Sequence, residues 1–173
     1  MQNTTPPTGV ARTFGTDELI VTKTDLKGTI QYANRLFIDL AGYPEDELLG
    51  APHSKIRHPE MPRCVFNLLW SRIQEGQEIF AYVVNLSSNG DHYWVFAHVT
   101  PSFDENGAVV GYHSNRRCPD DAAIQKIEAL YKKLRAAERQ AGDNLQSITV
   151  STEMLEKELE QAGLSYDEFV FSL

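Results

Sequence analysis

The chain has little that could be cross-linked, ligated to a metal or inserted in a membrane. It holds two cysteines, Cys64 and Cys118, in 173 residues. That is too few for a disulfide scaffold, and they lack the paired spacing of a zinc site. No apolar stretch approaches the ~18–20 residues of a membrane span. Met1 to Arg12 is rich in Thr and Pro and lacks the basic and apolar regions of a signal peptide. These absences predict a cytoplasmic protein with free thiols and no direct membrane insertion. Basic residues are scarce as well: 16 Lys and Arg stand against 24 Asp and Glu, for a net charge of −8. A nucleic-acid partner requires clustered basic surface, so none is expected.

Signatures of catalysis are missing too. There is no nucleophile elbow, phosphate loop or Glu-containing metal helix, and the chain is not expected to be an enzyme. The histidines at 53, 58, 92, 98 and 113 show no paired ligand spacing and no neighbouring Cys, so no metal site is expected.

What remains is an ordinary globular composition, 42% hydrophobic and 23% charged. Residues 1–16 read as a flexible lead-in. Residues 17–118 carry strand signals at both ends and a helical middle. Leu19 to Thr24 and Thr29 to Ala33 flank the turn Asp25-Leu26-Lys27-Gly28. Asn34 to Leu40 suits a short helix stopping at Gly42, and Pro44 to Gly50 a second. Val65, Leu68, Leu69 and Ile73 share one helical face, with Gly76 ending that segment. Three runs rich in β-branched and aromatic residues follow: Ile79 to Leu86, His92 to Thr100 and Val109 to Ser114. Asn89-Gly90 and Asn106-Gly107 punctuate them, and Asn-Gly tolerates the positive φ of hairpin turns. Two strands, helices and a three-strand meander predict an α+β domain with an antiparallel sheet.

Residues 119–173 read as a helical signalling or dimerisation extension. Pro119-Asp120-Asp121 is a helix start. A seam with alternating three- and four-residue spacing then runs through Ile124, Ile127, Tyr131, Leu134, Glu138, Ala141, Leu145, Ile148, Thr152, Leu155 and Leu159. It predicts a coiled-coil homodimer, with Glu138 and Thr152 as polar breaks. The alternative is one amphipathic helix folded back on the domain, followed by a helical hairpin. Ser165-Tyr166-Asp167-Glu168 has the capping-box pattern. The apolar end Phe169-Val170-Phe171-Ser172-Leu173 suits either core or a partner-binding segment.

Several stretches carry a resemblance: Asn34 with Phe37; Ala41-Gly42-Tyr43 with Glu47-Leu48-Leu49-Gly50; Pro52-His53; Arg57-His58-Pro59-Glu60-Met61-Pro62; Phe66 and Trp70; Asn89-Gly90-Asp91-His92-Tyr93-Trp94-Val95; and Gly111-Tyr112. Residues 17–118 resemble a PAS domain, specifically the FAD-binding sensory domain of bacterial aerotaxis receptors. The resemblance implies a five-stranded antiparallel sheet enclosing FAD with short flanking helices. By position it implies a flavin site at Asn34, His53, Arg57, His58, Glu60, Phe66 and Asn85. Glu60 stands where the family more usually has Asp. Ile79-Phe80 stands where it commonly has Trp, which makes Phe80 the expected aromatic wall. The implied function is a stand-alone sensor of redox or oxygen status, in aerotaxis-type signalling to a chemoreceptor or another signalling protein.

The residues themselves are compatible with that site. A flavin ring needs aromatic or branched walls and a few polar groups along one edge. Asn34 and Asn85 offer amides, and Arg57 suits bidentate contact with a pyrophosphate. For Arg57 the other reading is a surface salt bridge to Glu60. FMN in place of FAD, a haem held by one axial His, and a cofactor-free dimerisation or adaptor module remain alternatives.

Overall fold

In a computed structural model the protein is described over residues 5–142 and 145–173. Strands β1 (Ile20–Thr24) and β2 (Ile30–Ala33) precede helices α1 (Arg35–Ala41) and α2 (Glu45–Leu48), a 3-10 turn (His53–Ile56) and α3 (Arg63–Gln74). Then come β3 (Ile79–Leu86), β4 (His92–Phe103) and β5 (Val109–Arg117), followed by α4 (Asp121–Gln140), α5 (Leu145–Ala162) and α6 (Tyr166–Ser172). The five strands form one antiparallel sheet in the order β2-β1-β5-β4-β3. The expected fold is the observed one: a five-stranded antiparallel sheet, short flanking helices and a C-terminal helical extension.

Strand parity decides which side chains meet. Successive residues of a strand point to opposite faces. In β3 the odd positions, among them Val83 and Asn85, face the short helices. The even positions Phe80 and Tyr82 meet Phe96 of β4 on the outer face. Both faces are covered, so seven of the eight β3 residues are buried. The inner face closes over Ile20, Phe37, Leu48, Ile56, Met61 and Val65.

The turns and caps follow the sequence signals. Asn34 caps α1, accepting from the Phe37 amide, and Gly42 ends it at φ 71°. Residues 5–12, expected as a flexible lead-in, are held on the β3–β4 hairpin. Thr8 N donates to Gly90 O (2.8 Å), His92 N to Val10 O (2.9 Å) and Arg12 N to His92 O (2.7 Å). Arg12 also pairs with Asp91 at 3.1 Å. The strand-like bridge beside His92 gives these polar backbone groups partners.

The helical extension corrects the coiled-coil expectation. α4 lies on the outer sheet face, where the Tyr131 hydroxyl donates to Tyr82 O at 2.6 Å and its ring meets Trp94. Gly142, at φ 81°, ends that run. α5 then returns alongside α4, tied by Lys133 to Glu158 at 3.1 Å. Ile127, Tyr131 and Leu134 are therefore buried within one chain, and Leu145, expected in the seam, is 80% exposed. The buried seam residues thus pack within their own chain, as the folded-back alternative has it. The apolar outer face of β3 and β4 needs cover, and a segment tethered to it reaches it at high effective concentration. The apolar C-terminus is core at Val170, while Phe171 is largely exposed. α6 carries the predicted capping box at Ser165 and Glu168. It buries Tyr166 and Val170 and sets Phe171 against Phe80 at 4.8 Å.

Candidate functional site

A cavity of about 610 Å³ lies between the inner sheet face, the 3-10 turn and α3. Ligand pockets of small molecules typically span ~300–1,000 Å³. Its walls are apolar, with Phe66, Leu69, Trp70 and Ile73 on the helix side and Val83, Val99 and Tyr112 on the sheet. Trp70 and Tyr112 meet edge to face at 5.6 Å. Ala97, on the strand between β3 and β5, contributes only a methyl to the floor.

The charge of this cavity opposes that of the chain. Lys27, Arg57, Arg63 and Arg116 line it, and among the described residues no carboxylate does. In a protein with net charge −8, such segregation is what an anionic ligand requires. Arg116 is 4% exposed. It donates to Thr22 Oγ1 (2.6 Å) and His53 Nε2 (2.7 Å), and among the described residues it forms no ion pair. Among the described residues its Nη1 has no hydrogen-bond partner, and neither have Asn85 Nδ2 and Ser114 Oγ, all three buried. Buried polar groups are rarely left so, because each costs about 1–3 kcal/mol. Arg116 is pushed down to about 10 by burial, so it remains a cation at neutral pH.

His53 follows from the same contact. Since Arg116 donates to Nε2, that nitrogen accepts and the ring is neutral. Burial first, and then the Arg116 charge, lower its pKa from 6.5 to about 3. The unfolded chain therefore takes up a proton that the folded one refuses. Stability contributed above pH 6.5 is lost as pH falls toward about 3. The ligand-free protein is expected to lose up to ~1.4 kcal/mol per pH unit in that window. Urea unfolding at pH 7, 6 and 5 should show this slope, and His53→Asn should flatten it. An unchanged slope in the variant would remove His53 from the account.

The structure brings together four of the eight residues proposed from sequence. His53, Arg57, Phe66 and Asn85 line the cavity. The Arg57 guanidinium lies over the Phe66 ring at 4.0 Å, and a backbone bridge joins Arg57 to Asn85. Arg57 does not pair with Glu60, which instead meets Arg139 at 3.5 Å.

The other four lie elsewhere. The Asn34 amide is occupied locally: Oδ1 accepts from Val21 N (3.0 Å) and Phe37 N (3.2 Å), and Nδ2 donates to Leu19 O (2.7 Å). It caps α1 and ties it to β1. Phe80 is on the outer face, stacked on His98 at 4.1 Å, and is not a cavity wall. His58 and Glu60 line a separate cavity of about 280 Å³ beside His92 and Trp94. There His58 Nδ1 accepts from the Glu60 amide at 3.1 Å.

Sequence reasoning missed Arg116, Ser114, Lys27 and Arg63. For the first two the signal was available. Tyr112, Ser114 and Arg116 alternate along β5, but the strand was expected to end at Ser114. Neither cysteine lines the cavity. Cys64 is buried, with its thiol pushed up to about 11 by burial. Among the described residues no group of three His, Cys, Asp or Glu side chains could hold a metal ion. No described helix is long and apolar enough to cross a membrane.

Comparison with known proteins agrees with this fold. The family model described as the PAS fold matches residues 30–116. The aerotaxis receptor of Escherichia coli (strain K12) is 40% identical over 120 residues, which are 69% of this chain and 24% of that receptor. The bacterioopsin transcriptional activator of Halobacterium salinarum is 30% identical over 89 residues, 51% of this chain and 13% of that protein. The chain thus spans a quarter or less of the length of these curated relatives. Among solved structures, the dark structure of the blue-light photoreceptor Aureochrome1 LOV superposes with a TM-score of 0.58 at 22% identity. That match covers 67% of this chain and 86% of the other.

Proposed function

The chain belongs to the PAS fold family, and from that premise we propose that its cavity binds a flavin, FAD, whose redox state it relays to a signalling partner. The observation that carries this reading is the lining of four cations with, among the described residues, no carboxylate and no hydrogen-bond partner for the buried groups of Asn85, Ser114 and Arg116. A flavin ring presents flat apolar faces to walls such as Trp70 and Val99. Its pyrimidine edge is rich in acceptors, which suit the Asn85 and Arg116 donors. Lys27, Arg57 and Arg63 complement the charge of a pyrophosphate.

The flavin supplies the chemistry, accepting electrons and protons. The chain's own residues bind it, exclude water and set its electrostatic surroundings. Arg116, held by Thr22 and His53, places a fixed positive charge in the cavity and favours negative charge on the ring. Neutral His53 adds none. Any change in hydrogen bonding at Asn85 reaches Arg57 through their backbone bridge. A photochemical bond between a thiol and the ring needs a cysteine within reach. The lining supplies none, so a redox input is favoured over a light input. The relay is proposed to act in the cytoplasm on a chemoreceptor or similar protein, in keeping with the aerotaxis receptor among the relatives.

The absorption spectrum of the purified protein tests the reading. A blue-region doublet that bleaches on reduction is expected. A Soret band would replace the flavin by haem, and a featureless spectrum after incubation with FAD would leave an adaptor module.

A further inference from the structure

One residue of the cavity comes from the helical extension. Ile148 of α5 lines it, well beyond the end of the PAS fold match at residue 116. The sequence of α5 permits this approach. The helix lies against α3 with Ser147 and Ser151 both buried. Residues four apart share a helix face, and small side chains on that face let two helix backbones come close. The Ser151 hydroxyl is satisfied inside its own helix, donating to Ser147 O (2.9 Å) and Ile148 O (3.1 Å). The Ser147 hydroxyl works across the interface, accepting from Arg63 Nη1 at 3.3 Å.

Arg63 is the first residue of α3 and lines the cavity with Phe66, Asn67 and Trp70 of the same helix. Its guanidinium therefore touches both α5 and the ligand space. A guanidinium carries five N–H donors in one plane, so it can serve acceptors at two of its edges. An arginine side chain also loses rotamer freedom when a ligand fixes it, and an acceptor that orders it beforehand lowers that cost.

We propose that α5 is a wall of the ligand site: Ile148 closes it by apolar contact, and Ser147 is a positioning residue that holds Arg63 for an anionic group of the ligand, so that occupancy tightens the docking of α5 on α3. By thermodynamic reciprocity, whatever docked α5 adds to ligand affinity, the ligand adds to the docking. A cavity that empties thus weakens its hold on the extension. This inference rests on the flavin reading for the identity of the ligand, and on the Arg63–Ser147 contact and the Ile148 lining for the wall.

The test compares FAD with riboflavin, which has the ring without the phosphates, in the full chain. Ser147→Ala removes the acceptor that orders Arg63. It should lower the ratio of FAD to riboflavin affinity by roughly threefold to tenfold. A serine that merely packs two helices would lower both affinities together and leave the ratio alone. Ile148→Ala, which does not touch Arg63, should weaken FAD binding by roughly threefold to tenfold. Hydrogen exchange adds an independent readout: FAD should slow exchange in α5 more than riboflavin does in the parent, and that difference should shrink in Ser147→Ala. An unchanged ratio in Ser147→Ala, undiminished FAD affinity in Ile148→Ala, or α5 exchange that ignores the phosphates would overturn the wall and leave the flavin reading standing. If no flavin binds at all, that reading fails by itself and inorganic pyrophosphate becomes the probe. Slower α5 exchange with pyrophosphate in the parent, and less slowing in Ser147→Ala, then supports the wall, and unchanged exchange overturns it.

Discussion

Arg116→Met is expected to lower FAD affinity by roughly 10- to 100-fold while leaving the ligand-free fold as stable as the parent or more so. The two effects have opposite signs for one reason. Arg116 is a buried cation with one unpartnered nitrogen and no ion pair among the described residues. Burying such a charge costs stability, and an apolar side chain of similar length removes that cost. A charge-assisted hydrogen bond to a ligand is worth about 1.5–3 kcal/mol, which sets the loss in affinity. Residues that sacrifice stability in this way are characteristic of binding sites. Fluorescence titration with FAD and urea unfolding of the ligand-free variant check both halves. A variant that loses stability and keeps its affinity would make Arg116 a structural residue.

Leu134→Ala is expected to cost about 2–5 kcal/mol. Leu134 is fully buried on α4 between Tyr131, which is bonded to the sheet, and Glu138, which is bonded to α3. The loss should appear in urea unfolding and be independent of protein concentration, because this contact lies within one chain. A midpoint that rises with protein concentration, with the loss confined to the high-concentration arm, would restore the two-chain seam. Arg72 of α3 donates to both carboxylate oxygens of Asp167, at 2.7 and 2.9 Å. That contact holds α6 to the same cavity wall, so the extension is anchored at two points.

The fold was largely legible in the sequence, because local signals and tertiary structure agree over most of the chain. Gly42 ends α1 and Ser165 starts α6 as their residue types require. The two hairpin turns fall at the Asn-Gly pairs. The 3-10 turn at His53–Ile56 left no periodic signal, being a single turn. The seam from Ile124 to Leu159 misled because a three-four spacing describes any amphipathic helix as well as a coiled coil. What settles the difference is the apolar outer face of β3 and β4, a property of another part of the chain.

Four of the eight residues expected at the site meet at one cavity. His53, Arg57, Phe66 and Asn85 line one cavity, a juxtaposition carried by the family resemblance and not by spacing. Phe80 could have been excluded by parity alone, since it lies five positions from Asn85 on one strand and must face the other way. Asn34 was readable as a helix cap from its place before α1. Arg116 was lost at a strand end set three residues short, the least secure feature of any such reading.

Titration of FAD into the flavin-stripped protein, followed by calorimetry with Arg116→Met and Asn85→Ala in parallel, should show a single non-covalent site at a 1:1 ratio, weakened in both variants. Absence of binding, or binding that neither variant weakens, would contradict the flavin reading.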